Sequence, residues 1–428
     1  MLYDTWRQVA QARKREAALW DLRAGRCWLF GDLLKAAESE PVEGRSWAFP
    51  RGHSADFILA VLGGWRSGAV VCPLEVDHKA PAVPLPPAPC CHLKSTSATS
   101  GRARTIAFTA EQLAADARNI VATMGLRPEW PNLGAVSLAH SYGFSNLVLP
   151  LLLHGIPLIL AQSPLPEMVK AAAAGHEDLT LAGVPALWRG WSEARAIPAS
   201  VRLAISAGAP LRLELEQAVY AQCGLKIHNF YGSSECGGIA YDASSVPRTD
   251  EACVGKALDN VKLSVGKNGC LKVSGPAVGE TCWPEADPAL GDGVFSTNDL
   301  AEIKNGSVYL RGRLGDQINV AGRKVAPETI EAALRMHPGV KDCLVFAVPT
   351  THGERADSII ACVVAEQPIR EKDLRSFLQR SLPAWQIPRD WWLVPSLSVN
   401  QRGKISRADW ARRYLESRAG VPKARHAS

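Results

Sequence analysis

The sequence predicts an α/β protein with a large N-terminal α/β domain of layered sheets that carries a small β subdomain. A small α+β C-terminal domain follows. Three observations carry this expectation. Short apolar segments of strand character alternate with helical segments through the middle of the chain. Residues 254–311 turn strand-rich and Gly-rich, and the pattern changes style after Arg313. The expected domains are therefore 1–312 and 313–417, with 418–428 (RAGVPKARHAS) as a flexible basic tail. A chain of 428 residues is also longer than one hydrophobic core normally serves.

Taken in order, the opening MLYDTWRQVAQARKREAALW is charged and amphipathic. FILAVLGGWRSGAVVCPL (57–74) reads as an apolar helix, a turn and a buried strand at Ala69–Leu74. Five prolines between Pro81 and Pro89 exclude helix and central strand. Thr109 and Gln112 form a capping box before the apolar face Leu113, Ala117, Ile120, Val121 and Met124. Strands are expected at Ala135–Ala139, Pro157–Leu160, Leu179–Ala182, Val201–Ser206 and Lys226–Phe230, and a helix at Leu211–Gln222. Beyond Arg313, a hairpin is expected at Gln317–Val320 and Lys324–Val325, then a helix from Pro327 to His337-Pro338-Gly339. Strands at Cys343–Val348 and Ser358–Val364 and a helix over 371–381 complete that part.

Composition narrows the class. Hydrophobic residues make up 47% and charged residues 21%, the balance of a globular protein rather than a disordered, collagenous or coiled-coil one. The net charge, 48 − 42 = +6, is too mild for a nucleic-acid footprint, so no nucleic acid is expected as a partner. Cysteine occurs 11 times without a Cys-x-x-Cys pair or zinc-ligand spacing. The longest apolar stretch, Leu147–Ala161, is broken by Pro150, His154, Gly155 and Pro157, so no integral membrane segment is expected. A reduced, cytoplasmic protein follows from these readings.

Six segments carry chemistry-bearing residues. Thr96-Ser97-Ala98-Thr99-Ser100-Gly101-Arg102-Ala103-Arg104 sets hydroxyls and backbone N–H groups where a polyphosphate can lie, with Arg104 to neutralise it; a solvated linker is the plain alternative. His140-Ser141-Tyr142-Gly143-Phe144 follows a predicted strand, where α/β sheets build ligand crevices; a satisfied histidine with core aromatics is the plain alternative. Ser206-Ala207-Gly208-Ala209-Pro210 is small enough for close backbone approach, or for a tight turn. Asn229-Phe230-Tyr231-Gly232-Ser233-Ser234-Glu235 offers a ring for a base, Ser234 for phosphate and Glu235 for Mg²⁺, unless it is merely a Gly-rich hairpin tip. Phe295-Ser296-Thr297-Asn298-Asp299, with Arg313, suits a ribose; the alternative has Asp299 capping a turn. Asn400-Gln401-Arg402-Gly403-Lys404-Ile405-Ser406-Arg407 is a basic run that is otherwise a solvated face.

Their order and spacing resemble the adenylate-forming superfamily of acyl- and aryl-CoA synthetases and peptide-synthetase adenylation domains, from about residue 57 to 410. The family's phosphate loop, Thr-Ser-Gly-Thr-Thr-Gly-x-Pro-Lys, is followed at 96–104 with Ala98, Ser100, Ala103 and Arg104 substituted. Tyr231–Glu235 matches Tyr-Gly-x-Thr-Glu, and Phe295–Asp299 matches Tyr-Arg-Thr-Gly-Asp with Asn298 for Gly. GRLGDQINVAGRKVAPETIE (312–331) resembles the family's hinge segment most closely.

The resemblance implies ATP and Mg²⁺ as cofactors, a small-molecule carboxylic acid as substrate, and CoA or the phosphopantetheine of an acyl carrier protein as acceptor. It implies that Thr96, Ser97, Thr99, Ser100, Gly101 and Arg104 hold the triphosphate. Gly208, Ala209, Pro210, Asn229, Phe230, Tyr231, Gly232 and Ser234 would enclose the nucleotide, with Asp299 and Arg313 on the ribose. Glu235 would bind the metal, His140, Tyr142, Gly143, Gly208 and Gly232 would line the acid pocket, Lys404 would be the catalytic lysine, and Gly315 would be the hinge of a small mobile C-terminal domain. The expected activity is adenylation of a fatty or aromatic acid and transfer to a thiol; the alternative is a slow or non-catalytic homologue with a degenerate phosphate loop. A serine hydrolase is disfavoured because no Gly-x-Ser-x-Gly occurs. The chain is short for the family, and the shortage is placed near 75–93.

Overall fold

A computed structural model describes residues 1–39, 44–95, 104–320, 322–349, 357–398 and 406–419. The chain divides into two compact units. The first comprises Met1–Thr297 with Ile303–Tyr309, and the second Asn298–Glu302 with the chain from Leu310 onward.

The first unit contains two sheets. Its larger sheet has a parallel centre in the order Ile227–Ser233, Val201–Ser206, Leu179–Gly183, Asn132–Gly134, Leu158–Leu160 and Ala17–Asp21. These strands are short, apolar and buried nearly throughout, as parallel strands covered by helices on both faces must be. Antiparallel strands extend the sheet from Gly237–Tyr241 through Cys253–Ala257 into the Gly-rich region. The core beneath the parallel strands is filled by Leu133, Ile159, Leu181, Ile227 and the edge-to-face pair Trp188 and Trp191.

The second sheet of this unit runs Thr281–Trp283, Thr105–Phe108, His92–Ser95, Val70–Val71, Trp47–Ala48. Ser95 pairs with Thr105, so the strands on either side of the segment 96–104 are antiparallel neighbours. The helix Ala110–Met124 follows, with the expected Thr109/Gln112 capping box in place. Leu113, Ala117, Ile120 and Met124 are buried, but so are Asp116 and Asn119 on the same helix.

Several elements depart from the sequence expectation. The strand placed at Ala135–Ala139 lies at Asn132–Gly134, and residues 135–140 bend instead. The reason is local: a Cβ on Gly143 would lie 2.0 Å from the Ser137 carbonyl oxygen, so the chain folds back here against Gly143. Ala69–Leu74 contributes only the two-residue strand Val70–Val71. Lys226–Phe230 extends to Ser233, because Gly237–Tyr241 pairs with it as a hairpin.

The second unit packs a three-stranded sheet of Val340–Pro349, Asp357–Ala365 and Asp390–Leu393 against the helices Pro327–Arg335 and Glu371–Leu378 on one face. Helix Arg407–Ala419 covers the other face through Trp410 and Tyr414. Among the described residues no helix is long and apolar enough to cross a membrane, and all eleven cysteines are free thiols.

Candidate active site

The site of the first unit is built where parallel strands end. Ser206 is paired in register with Asn229, so the turn Ala207–Pro210 leaves the sheet beside Phe230 and Tyr231. This is the position outside the carboxyl ends of strands where open α/β sheets bind ligands. Gly208 sits at φ +85°, a left-handed conformation that a side chain would strain. Asn229 is buried, and its amide donates to the Cys253 carbonyl at 3.2 Å.

A buried charge network fixes the base of these strands. Lys226 is bound to Glu216 and lies 2.7 Å from Asp242, while Arg248 reaches Glu216 at 2.8 Å and the Cys253 carbonyl at 2.6 Å. Removing one member would leave an uncompensated charge in the core, so the network holds the strands beneath the crevice in one arrangement.

Tyr231 to Ser233 remain in the strand, and the hairpin tip is only Ser234–Cys236. The hairpin reading and the ligand reading therefore coincide, since the tip presents Ser234 and Glu235. The tip is pinned by Gly279, whose N–H donates to the Glu235 carbonyl at 2.8 Å, and by the Cys236 N–H on Ser233 Oγ at 3.2 Å. The Glu235 carboxylate itself is half-buried and makes no hydrogen bond or ion pair with the described residues. Burial pushes the thiol of neighbouring Cys236 well above the ordinary range, which keeps it a neutral packing residue.

His140–Gly143 meets both loops. Ser141 Oγ lies 3.0 Å from Ser234 Oγ, the Tyr142 ring is 6.0 Å from that of Phe230, and the Tyr142 hydroxyl donates to the Ile205 carbonyl at 3.3 Å. Burial raises the Tyr142 pKa, so its hydroxyl stays protonated and serves as a donor. His140 caps its own short turn, accepting from the Tyr142 N–H at 3.3 Å. The aromatic pair gives the crevice an apolar wall, while Gly232 packs against its hairpin partner, where a Cβ would lie 2.6 Å from the Gly237 carbonyl oxygen.

Arg104 is exposed and forms an ion pair with Asp287. Thr96, Ser97, Thr99, Ser100, Gly101 and Lys404 lie outside the described residues. In the second unit, Asp299 accepts from Arg313 Nε at 2.8 Å. Asp299 is only 15% exposed and lies within the strand Val294–Lys304, which corrects the alternative of a turn cap. Gly315 lies in a single helical turn, Leu314–Asp316, with open space where a Cβ would sit. A cavity of about 470 Å³ in this unit is lined by Arg323, Arg375, Arg389, Trp385 and Asp357, none of which the sequence singled out.

Sequence reasoning also missed the carboxylate that joins the three loops of the first unit. Asp116 is buried with Lys94 (both side chains 2% exposed) and lies 3.3 Å from Lys94 Nζ. The two share Ser145 Oγ, at 2.6 and 3.1 Å, and Asp116 Oδ1 accepts from the Gly238 N–H at 3.0 Å. The only available signal was an aspartate on the apolar face of a helix.

The donor set suits a magnesium ion carried on phosphates. Mg²⁺ keeps several waters and takes one or two carboxylates, and Glu235 offers one uncommitted hard oxygen ligand. Among the described residues no three His, Cys, Asp or Glu side chains converge into a protein cage.

Comparisons with known proteins identify a family by sequence and a shared fold by structure. The profile of the AMP-binding enzyme family matches residues 77–283, and that of the AMP-binding enzyme C-terminal domain matches 329–404. A probable 2-succinylbenzoate–CoA ligase of Mycobacterium tuberculosis is 29% identical over 335 residues, covering 75% of this chain and 83% of its own. ATP-bound MatB from Rhodopseudomonas palustris has the same fold, with a TM-score of 0.85 at 20% identity over 97% of this chain and all of its own. The Bacillus subtilis O-succinylbenzoate CoA synthetase in complex with ATP and magnesium ion superposes with a TM-score of 0.79 at 19% identity, over 94% of this chain and 98% of its own.

Proposed function

Because the chain belongs to the adenylate-forming superfamily of AMP-binding enzymes, we propose that it is an ATP-dependent acid–thiol ligase. The observation that carries the proposal is the meeting of three loops at the ends of the parallel strands: Ser141 on Ser234, Tyr142 on Phe230, and Ala207–Pro210 beside Tyr231.

In the first step a carboxylate oxygen of the acid attacks the α-phosphorus of ATP. The bond to the β-phosphate oxygen breaks and pyrophosphate leaves, giving an acyl-adenylate. In the second step a thiol sulfur attacks the acyl carbon, the thiol loses its proton, and AMP departs with the oxygen that came from the acid. The barrier in the first step is repulsion between two anions, so the residues that matter are those that place charge and exclude water.

Tyr142 and Phe230 line the acid side of the crevice, and Gly208, with only Val184 within 4 Å of where its Cβ would sit, leaves the backbone open to adenine and the acyl group. Asp299 accepts from the ribose hydroxyls, with Arg313 holding its carboxylate in place. Thr96, Ser97, Thr99, Ser100 and Gly101 embrace the β- and γ-phosphates, and Lys404 aligns the two reacting oxygens. Mg²⁺ held at Glu235 supplies positive charge to the phosphates when bound.

The 2-succinylbenzoate named for the M. tuberculosis relative makes aromatic acids the first substrates to examine here. The arginines around the second-unit cavity offer cationic groups of the kind the phosphates of CoA require, which favours CoA as acceptor over a carrier protein.

Pairing of Arg104 with Asp287 is the observation behind the rival reading, nucleotide binding without turnover. With Arg104 60% exposed, such a pair contributes only about 0–1 kcal/mol, so a triphosphate can displace Asp287. Acid-dependent exchange of labelled pyrophosphate into ATP separates the readings. The ligase exchanges with at least one aromatic or fatty acid; ATP binding with no exchange for any acid in the panel refutes it.

A further inference from the structure

Asp116 sits in the second turn of the helix Ala110–Met124, whose start is fixed by the Thr109/Gln112 capping box. Each of its contacts lies on an element next to a different loop of the site. Lys94 stands two residues before Thr96, at the entrance to the phosphate loop. Ser145 stands two residues after Gly143, in the π-helical turn Phe144–Val148. Gly238 stands three residues after Glu235, in the strand that returns from the hairpin tip.

The fit is tight enough to dictate sequence. A Cβ on Gly237 would lie 2.1 Å from Asp116 Oδ1, and this glycine sits at φ +68°. Lys94 Nζ is fully engaged: Asp116 at 3.3 Å, Ser145 Oγ at 3.1 Å, and the face of Phe108 with its centroid 4.6 Å away. Ser145 accepts from Lys94 and donates to Asp116, so the three groups form a closed set with no spare donor.

A buried ion pair is a poor way merely to fill a core, because apolar residues of the same size do so at no desolvation cost. What a charged, hydrogen-bonded carboxylate does better is fix direction, since each partner must keep its place or leave a buried charge unmatched. We propose that Asp116, with Lys94 and Ser145, is a positioning cluster that sets the strand His92–Ser95, which leads into the phosphate loop, against the strand Gly237–Tyr241 that returns from the hairpin tip, and thereby controls recognition of the β- and γ-phosphates of ATP. The inference rests on the ligase reading for the role of the phosphate loop.

The test uses the full chain and compares binding of MgATP with binding of AMP by titration calorimetry, with no acid present. The double variant Lys94→Met/Asp116→Asn removes both charges, while the amide introduced at position 116 still accepts from the Gly238 N–H and donates to Ser145. Only the tie to the phosphate-loop strand is cut. ATP affinity should fall by about tenfold or more, while AMP affinity changes by less than about twofold, because AMP lacks the phosphates the loop would hold. A purely structural role lowers the fraction of binding-competent protein without changing the ratio of the two affinities.

An unchanged ratio, or an equal loss for both nucleotides, overturns the proposal. If the double variant does not fold, Ser145→Ala is judged by the same ratio, with an expected shift of about threefold. Wild-type protein that binds neither nucleotide ends the ligase reading and this inference together, whereas wild-type binding with an unchanged variant ratio ends the inference alone.

Discussion

Arg407 follows Lys404 by three residues and closes a charge cluster of the second unit, so its removal has a calculable effect. Its guanidinium lies 3.2 Å from Asp316, 2.8 Å from Glu331 and 2.9 Å from Glu328, and its Nε donates to the Val345 carbonyl at 3.0 Å. Glu331 is 4% exposed, and burial raises its pKa above the ordinary carboxylate value even though Arg407 pulls it down. Arg407→Met deletes that opposing charge and leaves Glu331 beside Glu328.

Breaking a buried pair from one side costs about 3–5 kcal/mol. Because Arg335 still reaches Glu331 at 3.2 Å, the lower end, about 3 kcal/mol at pH 8, is expected. For a unit of this size that is a fall in melting temperature of about 12 °C. The sign of the pH dependence follows from the raised pKa. Below the unfolded value of about 4.3 the carboxyl is protonated in both states and the penalty vanishes. As pH rises through the folded value, the buried charge must form and stability is lost. The deficit of the variant should therefore be smaller at pH 5 than at pH 8, and Arg407→Met/Glu331→Gln should recover most of it at pH 8. Calorimetry of the full chain at both pH values reads this directly. A loss below about 1 kcal/mol, or an equal loss at the two pH values, refutes the reasoning.

Gly143→Ala brings a methyl group to within 2.0 Å of the Ser137 oxygen, so it should cost about 1–3 kcal/mol and raise KM for the acid more than KM for ATP in the exchange assay. Asp299→Asn should weaken ATP and AMP binding alike by about tenfold, with less than about 1 kcal/mol change in stability because Arg313 is 49% exposed; a selective loss of ATP binding would contradict the ribose role. Burial, followed by the charge of Lys94, holds the His92 pKa well below its ordinary value, and both ring nitrogens are buried without a hydrogen-bond partner. Its folded pKa is the lower one, so stability falls as pH drops below about 6.5, by up to about 1.4 kcal/mol per pH unit for this group. His92→Leu should flatten that slope in denaturant titrations and cost nothing at pH 8, whereas an unchanged slope would assign the acid sensitivity to the other buried histidines.

Much of the architecture was legible because short apolar strands and a capped helix announce themselves locally: Val201–Ser206 begins and ends where the pattern places it, as does the Thr109 cap. The loops bearing Gly208, Tyr231 and Tyr142 were legible as candidates, since small and aromatic residues cluster after strands. What could not be read was the distance between them. Asp116, Lys94 and Ser145 are far apart in the chain, and each looks ordinary in its own window. The bend at 135–140 escaped for the same reason, because it is imposed by contact with Gly143 rather than by the propensities of Ala135–Ala139. Asp299 could be read as a turn cap, yet it lies within a strand beside Arg313, a pairing set by residues 14 positions apart.

The central claim is that an oxygen of the acid becomes bonded to the α-phosphorus of ATP. Oxygen-18 placed in the carboxylate of an accepted acid tests this within a single turnover to thioester, with AMP examined by mass spectrometry. The account predicts one heavy oxygen in the AMP released and one retained in the thioester. Unlabelled AMP, or ADP with the label in inorganic phosphate, would contradict it.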